Sequence, residues 1–230
     1  MPALPINAAG MTSVFFDLDG TLADTAPDIV AALDWLRHAL DMPPLDYARM
    51  RDLVSHGSAA LVQYAFPLAD SVQHTALTQR FLDRYRARLC IRTRLFTGMP
   101  SLLTHIEQAG LRWGVVTNKP ARLTRPLLHI LGLAQRAAVI VSGDTLSERK
   151  PHPAPLWHAC RLAGCEPRQC LYVGDAERDI QAGLAAGMTT LIADYGYIDP
   201  DQRPAQWGAH GRLATPGELL QWLPAQQPYL

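Results

Sequence analysis

The sequence predicts an α/β protein: a doubly wound, parallel-sheet, Rossmann-like core with an all-helical cap inserted into it. Three observations carry this reading. From residue 95 onward, short apolar runs alternate with segments of helical period, the rhythm of parallel strands joined by crossover helices. One further apolar run, SVFF at 13–16, is cut off from the others by a stretch, 24–94, that reads as helix without any strand. Several runs end abruptly in polar residues able to do chemistry, as expected at the carboxyl edge of such a sheet.

Element by element, SVFF is a buried strand that stops at Asp17-Leu-Asp-Gly-Thr. Ile29, Leu33, Leu36 and Leu40 recur at steps of three and four and predict a one-faced helix. Pro27 suits its first turn, Thr25 is a capping candidate, and Met42-Pro-Pro ends it. Further helices are expected at 47–54, 58–66 and 71–89, with His56-Gly57 parting the first two. After Phe96-Thr-Gly98 come helix 99–109, strand 111–117, helix 120–131, strand 137–141 and helix 153–163. Strand 169–173, helix 177–186, strand 189–193 and a late helix at 216–223 complete the chain. The expected domains are a core of 11–23 plus 95–230 and a cap of 24–94.

Composition narrows the function classes. The 230 residues are 48% hydrophobic and 18% charged, enough to bury a core and unlike a disordered chain. Lys+Arg 21 balance Asp+Glu 21, so no basic surplus points to nucleic acid or an anionic membrane. Any bound anion must be held by a few placed groups. No apolar run approaches the roughly 18 residues of a membrane span. MPALPINAAG lacks the basic and apolar regions of a signal peptide, so 1–10 read as a leader, with Met11 an alternative start. Cys160, Cys165 and Cys170 invite a metal reading with His152 and His158. No C-x-x-C pair is present, and the expectation is three reduced, partly buried thiols in a cytoplasmic protein.

The strand ends collect Asp17 and Asp19, then Thr117 and Asn118, then Lys150 in the loop after the third run, then Asp175 with Asp179 four residues on. Converging carboxylates repel one another unless a cation shares them. Oxygen ligands without His or Cys favour a hard ion such as Mg²⁺. Lys150, Thr117 and Asn118 add donors for a second anion, and a phosphate suits the combination.

FFDLDGTLADTAPD resembles the first motif, D-x-D-G-T, of the haloacid-dehalogenase-like phosphohydrolases. Thr117-Asn118, Lys150-Pro151 and GDAERD at 174–179 match the remaining motifs in order, and the helical insertion resembles the small-cap subclass. VVTNKP, KPHPAPL and D-T-x-P-D look like phosphoglycolate phosphatases. RWGVVTNKP and YGYIDP…WGAHG also look like a sister group that acts on N-acetylmuramic acid 6-phosphate. The resemblance implies that Asp17 is a nucleophile forming an aspartyl-phosphate, and Asp19 the general acid and base. It implies Mg²⁺ on Asp17, the Asp19 carbonyl and Asp175, with Asp179 behind them. Lys150, Thr117 and Asn118 would hold the phosphoryl group. A sugar phosphomutase is the alternative within the fold.

Arg51, His56 and Ser58 around Gly57 sit where a cap could dip toward this site, and they are the expected substrate contacts. The partner expected is a small phosphorylated metabolite, with the chain a monomer or homodimer. The crossings near Leu22–Asp24 and Leu95–Gly98 are the expected hinges.

Overall fold

The computed structural model describes residues 10–224. The leader expected over 1–10 lies outside them except for Gly10. In chain order, strand β1 (Ser13–Phe16) leads to a two-residue strand, β2 (Ala23–Asp24). Four helices follow: α1 (Ala26–His38), α2 (Tyr47–Leu53), α3 (Ser58–Ala65) and α4 (Ser71–Ala87). Strand β3 (Arg94–Leu95) returns antiparallel to β2. Then come α5 (Met99–Gln108), β4 (Arg112–Val116), α6 (Ala121–Ile130), β5 (Val139–Val141) and α7 (Ala154–Ala163). The chain continues through β6 (Cys170–Gly174), α8 (Glu177–Ala186), β7 (Thr189–Ala193) and β8 (Gly211–Leu213).

Six strands form one parallel sheet in the order β5-β4-β1-β6-β7-β8. The predicted fold class is therefore the observed one. β1 lies centrally, Phe16 opposite Val115 of β4 and Val173 of β6. Both faces are covered, which is why these strands read as apolar throughout. Val14, Phe16, Trp113 and Val115 pack with Leu102, Ile106 and Leu127 from α5 and α6. Phe15, Val116 and Tyr172 pack on the other side with Leu156, Ala159 and Ala182 from α7 and α8.

The four helices between β2 and β3 bury a second apolar cluster that includes Ile29, Leu33, Leu36, Met50, Val62, Phe81 and Tyr85, and Leu123 and Tyr197 from the rest of the chain join it. Their register begins at sequence-readable caps. Asp46 accepts from Ala48 N at 3.0 Å, and Asp70 and Gln73 exchange capping hydrogen bonds at the start of α4. The buried Asp28 carboxylate accepts from Arg92 N, Thr93 N and Thr93 Oγ1 at 2.7–3.0 Å. It thereby ties the start of α1 to the return crossing.

Some expectations change. Thr25 does not cap α1; its hydroxyl donates to Asp19 instead. Leu40 is exposed beyond the end of α1, because the chain turns there with Asp41 at φ 53°. Residues Pro216–Trp222 form 3₁₀ turns where an α-helix was expected. Strands β2, β3 and β8 went unforeseen, because two- and three-residue strands are too short to show a period.

Candidate active site

The ends of β1, β4 and β6 lie side by side and bring Asp17, Thr117 and Asp175 to one edge. Gly20 makes the turn after β1 possible, at φ +81°, where a Cβ would stand 2.1 Å from Asp175 Oδ2. Oxygens of Asp17, Asp175 and Asp179 lie within 4.8 Å of one another, and all three residues are buried. Lys150 Nζ is 2.9 Å from Asp17 Oδ1 and 2.7 Å from Asp179 Oδ1. Its directed hydrogen bonds go to the Val116 carbonyl (3.0 Å) and the Tyr172 hydroxyl (2.8 Å).

Electrostatics separate the three acids. Burial pushes the Asp17 carboxyl up, but Lys150 and Arg178 outweigh it and hold Asp17 below the usual carboxylate range. Burial, then the charges of Asp17 and Asp179, push Asp175 up to about 7. Asp179 is also raised, chiefly by burial, with Lys150 opposing. Its Oδ2 accepts from Ala176 N at 3.1 Å and so starts α8.

The donor set fits a hard divalent cation. Among the described residues, the buried atoms Asp17 Oδ1 and Asp179 Oδ1 meet the Lys150 ammonium but receive no well-aligned hydrogen bond. Asp175 accepts from Thr21 Oγ1 (2.9 Å), Ser55 Oγ (2.7 Å) and Tyr197 N (2.9 Å), which fixes its orientation. Oxygen-only ligands arranged this way suit Mg²⁺.

Asp19 stands apart from that cluster. Its carboxylate takes Lys119 Nζ at 2.9 and 3.2 Å and the Thr25 hydroxyl at 2.6 Å. Lys119 in turn donates to the Tyr85 hydroxyl of α4 at 3.0 Å. Burial disfavours the Lys119 ammonium, yet Asp19 and Tyr85 overcome this and raise its pKa. Tyr85 itself is pushed up to about 12, mainly by burial. Sequence reasoning passed over Lys119, although it directly follows the Thr-Asn pair.

Asn118 has a structural task in addition to its place on the cleft wall. Its amide donates to the Lys150 carbonyl (2.9 Å) and accepts from Lys150 N (3.1 Å). One amide N–H and the amide oxygen thus hold the lysine loop in place. The Thr117 Oγ1 accepts from Lys119 N at 3.2 Å, which leaves its proton free to donate.

A cleft of about 360 Å³ opens above Asp17 and Asp19. Thr117, Asn118 and Lys119 line it from the core, and His56, Gly57 and Ser58 from the helical block. Arg149 and Arg178 add two cations to its lining that sequence reasoning had not singled out. Arg51 is not among the lining residues. Its guanidinium stands 4.7 Å from the centre of the Tyr197 ring and donates to the Gly196 carbonyl at 3.2 Å. It braces the helical block against the loop after β7. His56 Nε2 is 3.9 Å from Asp199 Oδ2 in that same loop.

Known proteins resemble this chain over most of its length. Residues 14–193 match the model of the haloacid dehalogenase-like hydrolase family. The chain is 46% identical over 211 residues to an N-acetylmuramic acid 6-phosphate phosphatase of Pseudomonas aeruginosa, covering 91% of this chain and 93% of that protein. It is 45% identical over 216 residues to a phosphoglycolate phosphatase of Xanthomonas campestris pv. campestris, covering 94% and 97%. A crystal structure from Haemophilus somnus, described as a predicted phosphoglycolate phosphatase, superposes with a TM-score of 0.83 at 27% identity, covering 92% and 97%. With its acids, lysine and Thr-Asn pair gathered at one sheet edge, this chain belongs to the haloacid dehalogenase-like hydrolase family and is an enzyme of its phosphatase type.

Proposed function

We propose that this phosphatase hydrolyses a small phosphomonoester through covalent attack by Asp17. The observation that carries this is the state of Asp17: buried, kept ionised by Lys150 and Arg178, and placed on the cleft wall. A carboxylate oxygen of Asp17 attacks phosphorus, the ester P–O bond breaks, and Asp19, entering this step in its acid form, gives its proton to the departing oxygen and becomes the carboxylate that pairs with Lys119. Asp19 then takes a proton from water. That water oxygen bonds to phosphorus, and the bond to Asp17 breaks. Lys119 and Thr25 hold the Asp19 carboxylate in one orientation for this second step. The Thr117 hydroxyl, Lys150 and Arg178 offset charge on the phosphoryl oxygens. Asp17, the Asp19 carbonyl and Asp175 would hold Mg²⁺, with Asp179 behind them; bound there, it supplies charge neutralisation at a phosphoryl oxygen.

In this reading 11–23 and 95–230 are the catalytic core and 24–94 the cap, whose His56, Gly57 and Ser58 face the part of the substrate away from phosphorus. Arg51 acts as a brace.

The cleft also favours one substrate type. Ile29, Val54, Leu61, Phe81, Leu82 and Leu123 give it a broad apolar surface. A two-carbon acid such as 2-phosphoglycolate has little to lay against such a wall. An N-acylated sugar phosphate bearing a carboxylate, such as N-acetylmuramic acid 6-phosphate, has both apolar and anionic parts to place. The test compares kcat/KM for these two compounds and for p-nitrophenyl phosphate, with and without Mg²⁺. N-acetylmuramic acid 6-phosphate should be preferred over 2-phosphoglycolate by at least about tenfold, the worth of 1.36 kcal/mol of transition-state binding. A preference for phosphoglycolate overturns the substrate assignment. Failure to hydrolyse any of the three with Mg²⁺ overturns the proposed chemistry.

A further inference from the structure

We propose that Cys160, Cys165 and Cys170 form a thiolate site for a soft divalent metal ion of the zinc class, at the end of the sheet opposite the phosphatase cleft. Cys160 lies in the last turns of α7, Cys165 just after it, and Cys170 opens β6. The opposite end of that strand leads into Asp175.

Folding brings the three sulfurs together. Cys160 and Cys170 Sγ are 3.8 Å apart, Cys165 and Cys170 Sγ 3.4 Å, and all three lie within 4.8 Å of one another. Sulfurs bound at about 2.3 Å to one tetrahedral zinc ion stand about 3.8 Å from each other. The triangle therefore has the span of three corners of such a site. Cys160 and Cys170 are buried, while Cys165 is partly open, so solvent can provide a fourth ligand.

A second observation lies in the strand alongside. Ser13 pairs with Cys170 across β1 and β6. Its hydroxyl is fully buried and has no hydrogen-bond partner among the described residues. It lies beside Cys165. A thiolate at Cys165 would accept this orphaned proton. Buried and unpartnered, it is the kind of outer contact that steadies a metal–sulfur bond.

His152 and His158 are engaged elsewhere. His158 Nδ1 contacts Arg161 at 2.8 Å, and His152 Nδ1 accepts from Ala154 N. The ligand set is three thiolates, soft donors that prefer zinc-like ions to Mg²⁺. Each bound thiol releases its proton to solvent as its sulfur joins the ion.

The test uses the full chain, stripped with a chelator and kept reduced, in excess Mg²⁺ to fill the carboxylate cluster. Co²⁺ is titrated in as the spectroscopic probe, then Zn²⁺ as competitor. One equivalent of Co²⁺ should produce an intense sulfur-to-cobalt charge-transfer band that Zn²⁺ abolishes. Cys165→Ser should weaken binding by more than about tenfold, the least that loss of even an outer contact costs. Cys160→Ala should do the same, and circular dichroism must show both variants folded. No charge-transfer band in the wild-type chain overturns the proposal. So does a band that persists in both folded variants, or a loss of two titratable thiols in air that proceeds unchanged with Zn²⁺ present.

Discussion

Ser55→Ala isolates the contact by which the helical block touches the acid cluster. Ser55 Oγ donates to Asp175 Oδ2 at 2.7 Å in a buried setting. Other links between the two parts include Tyr85 with Lys119 at 3.0 Å, Thr25 with Asp19 at 2.6 Å, the Tyr197 hydroxyl with Asp24 at 2.6 Å, Arg51 with the Gly196 carbonyl at 3.2 Å, and Arg49 with Asp199 at 2.9 Å. The Arg49 side chain is 34% exposed, so water and salt weaken its pair. A buried hydrogen bond to a charged group is worth about 1.5–3 kcal/mol. At 1.36 kcal/mol per factor of ten, its loss shifts closed against open cap by about 10- to 150-fold. Faster hydrogen exchange at Ala23–Asp24 and Arg94–Leu95, the two crossings, should report that shift. The kcat/KM for the preferred substrate should fall with it, because closure excludes water from the reaction. Exchange unchanged at both crossings, with kcat/KM within about twofold of wild type, would refute the idea that this bond helps hold the cap closed.

Asp17→Asn should lower turnover by more than about a thousandfold while circular dichroism stays native, since an amide oxygen is a poor nucleophile. Residual activity within tenfold of wild type, measured with p-nitrophenyl phosphate, would argue that another group attacks. Asp19→Asn should cost an alkyl phosphate far more than p-nitrophenyl phosphate, whose leaving group needs no proton; equal losses would speak against general-acid catalysis. Lys119→Met should strand the Asp19 carboxylate beside Thr25 alone. Breaking a buried pair typically costs about 3–5 kcal/mol, and about 2–3 kcal/mol here because the Asp19 side chain is 19% exposed. For a chain of this size that is a fall in Tm of about 4–12 °C, readable by calorimetry. An unchanged Tm would mean that the ion pair contributes nothing net.

The core and the gathering of its candidate site residues were legible because they obey local rules. Strand β1 is an apolar run that stops at a carboxylate, and so is β6 but for its glycine; each names its own end. Once such ends are taken as neighbours on a parallel sheet, Asp17, Thr117, Lys150 and Asp175 must converge, whatever the side-chain details. The helical block was legible from the period of Ile29, Leu33 and Leu36 and from the absence of any strand-like run in the sequence over 24–94.

Tertiary structure alone decided which polar groups pair, because that depends on contacts between residues far apart in the chain. Ser55 reaches Asp175 across 120 positions and Lys119 reaches Asp19 across 100. Neither distance leaves a trace in spacing. Arg51 and His56 look equivalent as polar residues near Gly57, yet one braces the Tyr197 loop and the other lines the cleft. Asn118 reads as an anion donor in sequence, and nothing in its spacing shows that its side chain also pairs with the backbone of Lys150. The cysteines recur every five residues, a spacing that matches no metal motif. They meet only because α7 ends at Gly164, in the left-handed region at φ 65°, and the chain doubles back into β6. Hydrophobic periodicity is written locally because each element must bury its own face; polar partnership is not, because burial of a charge is paid for by whichever distant group the fold delivers.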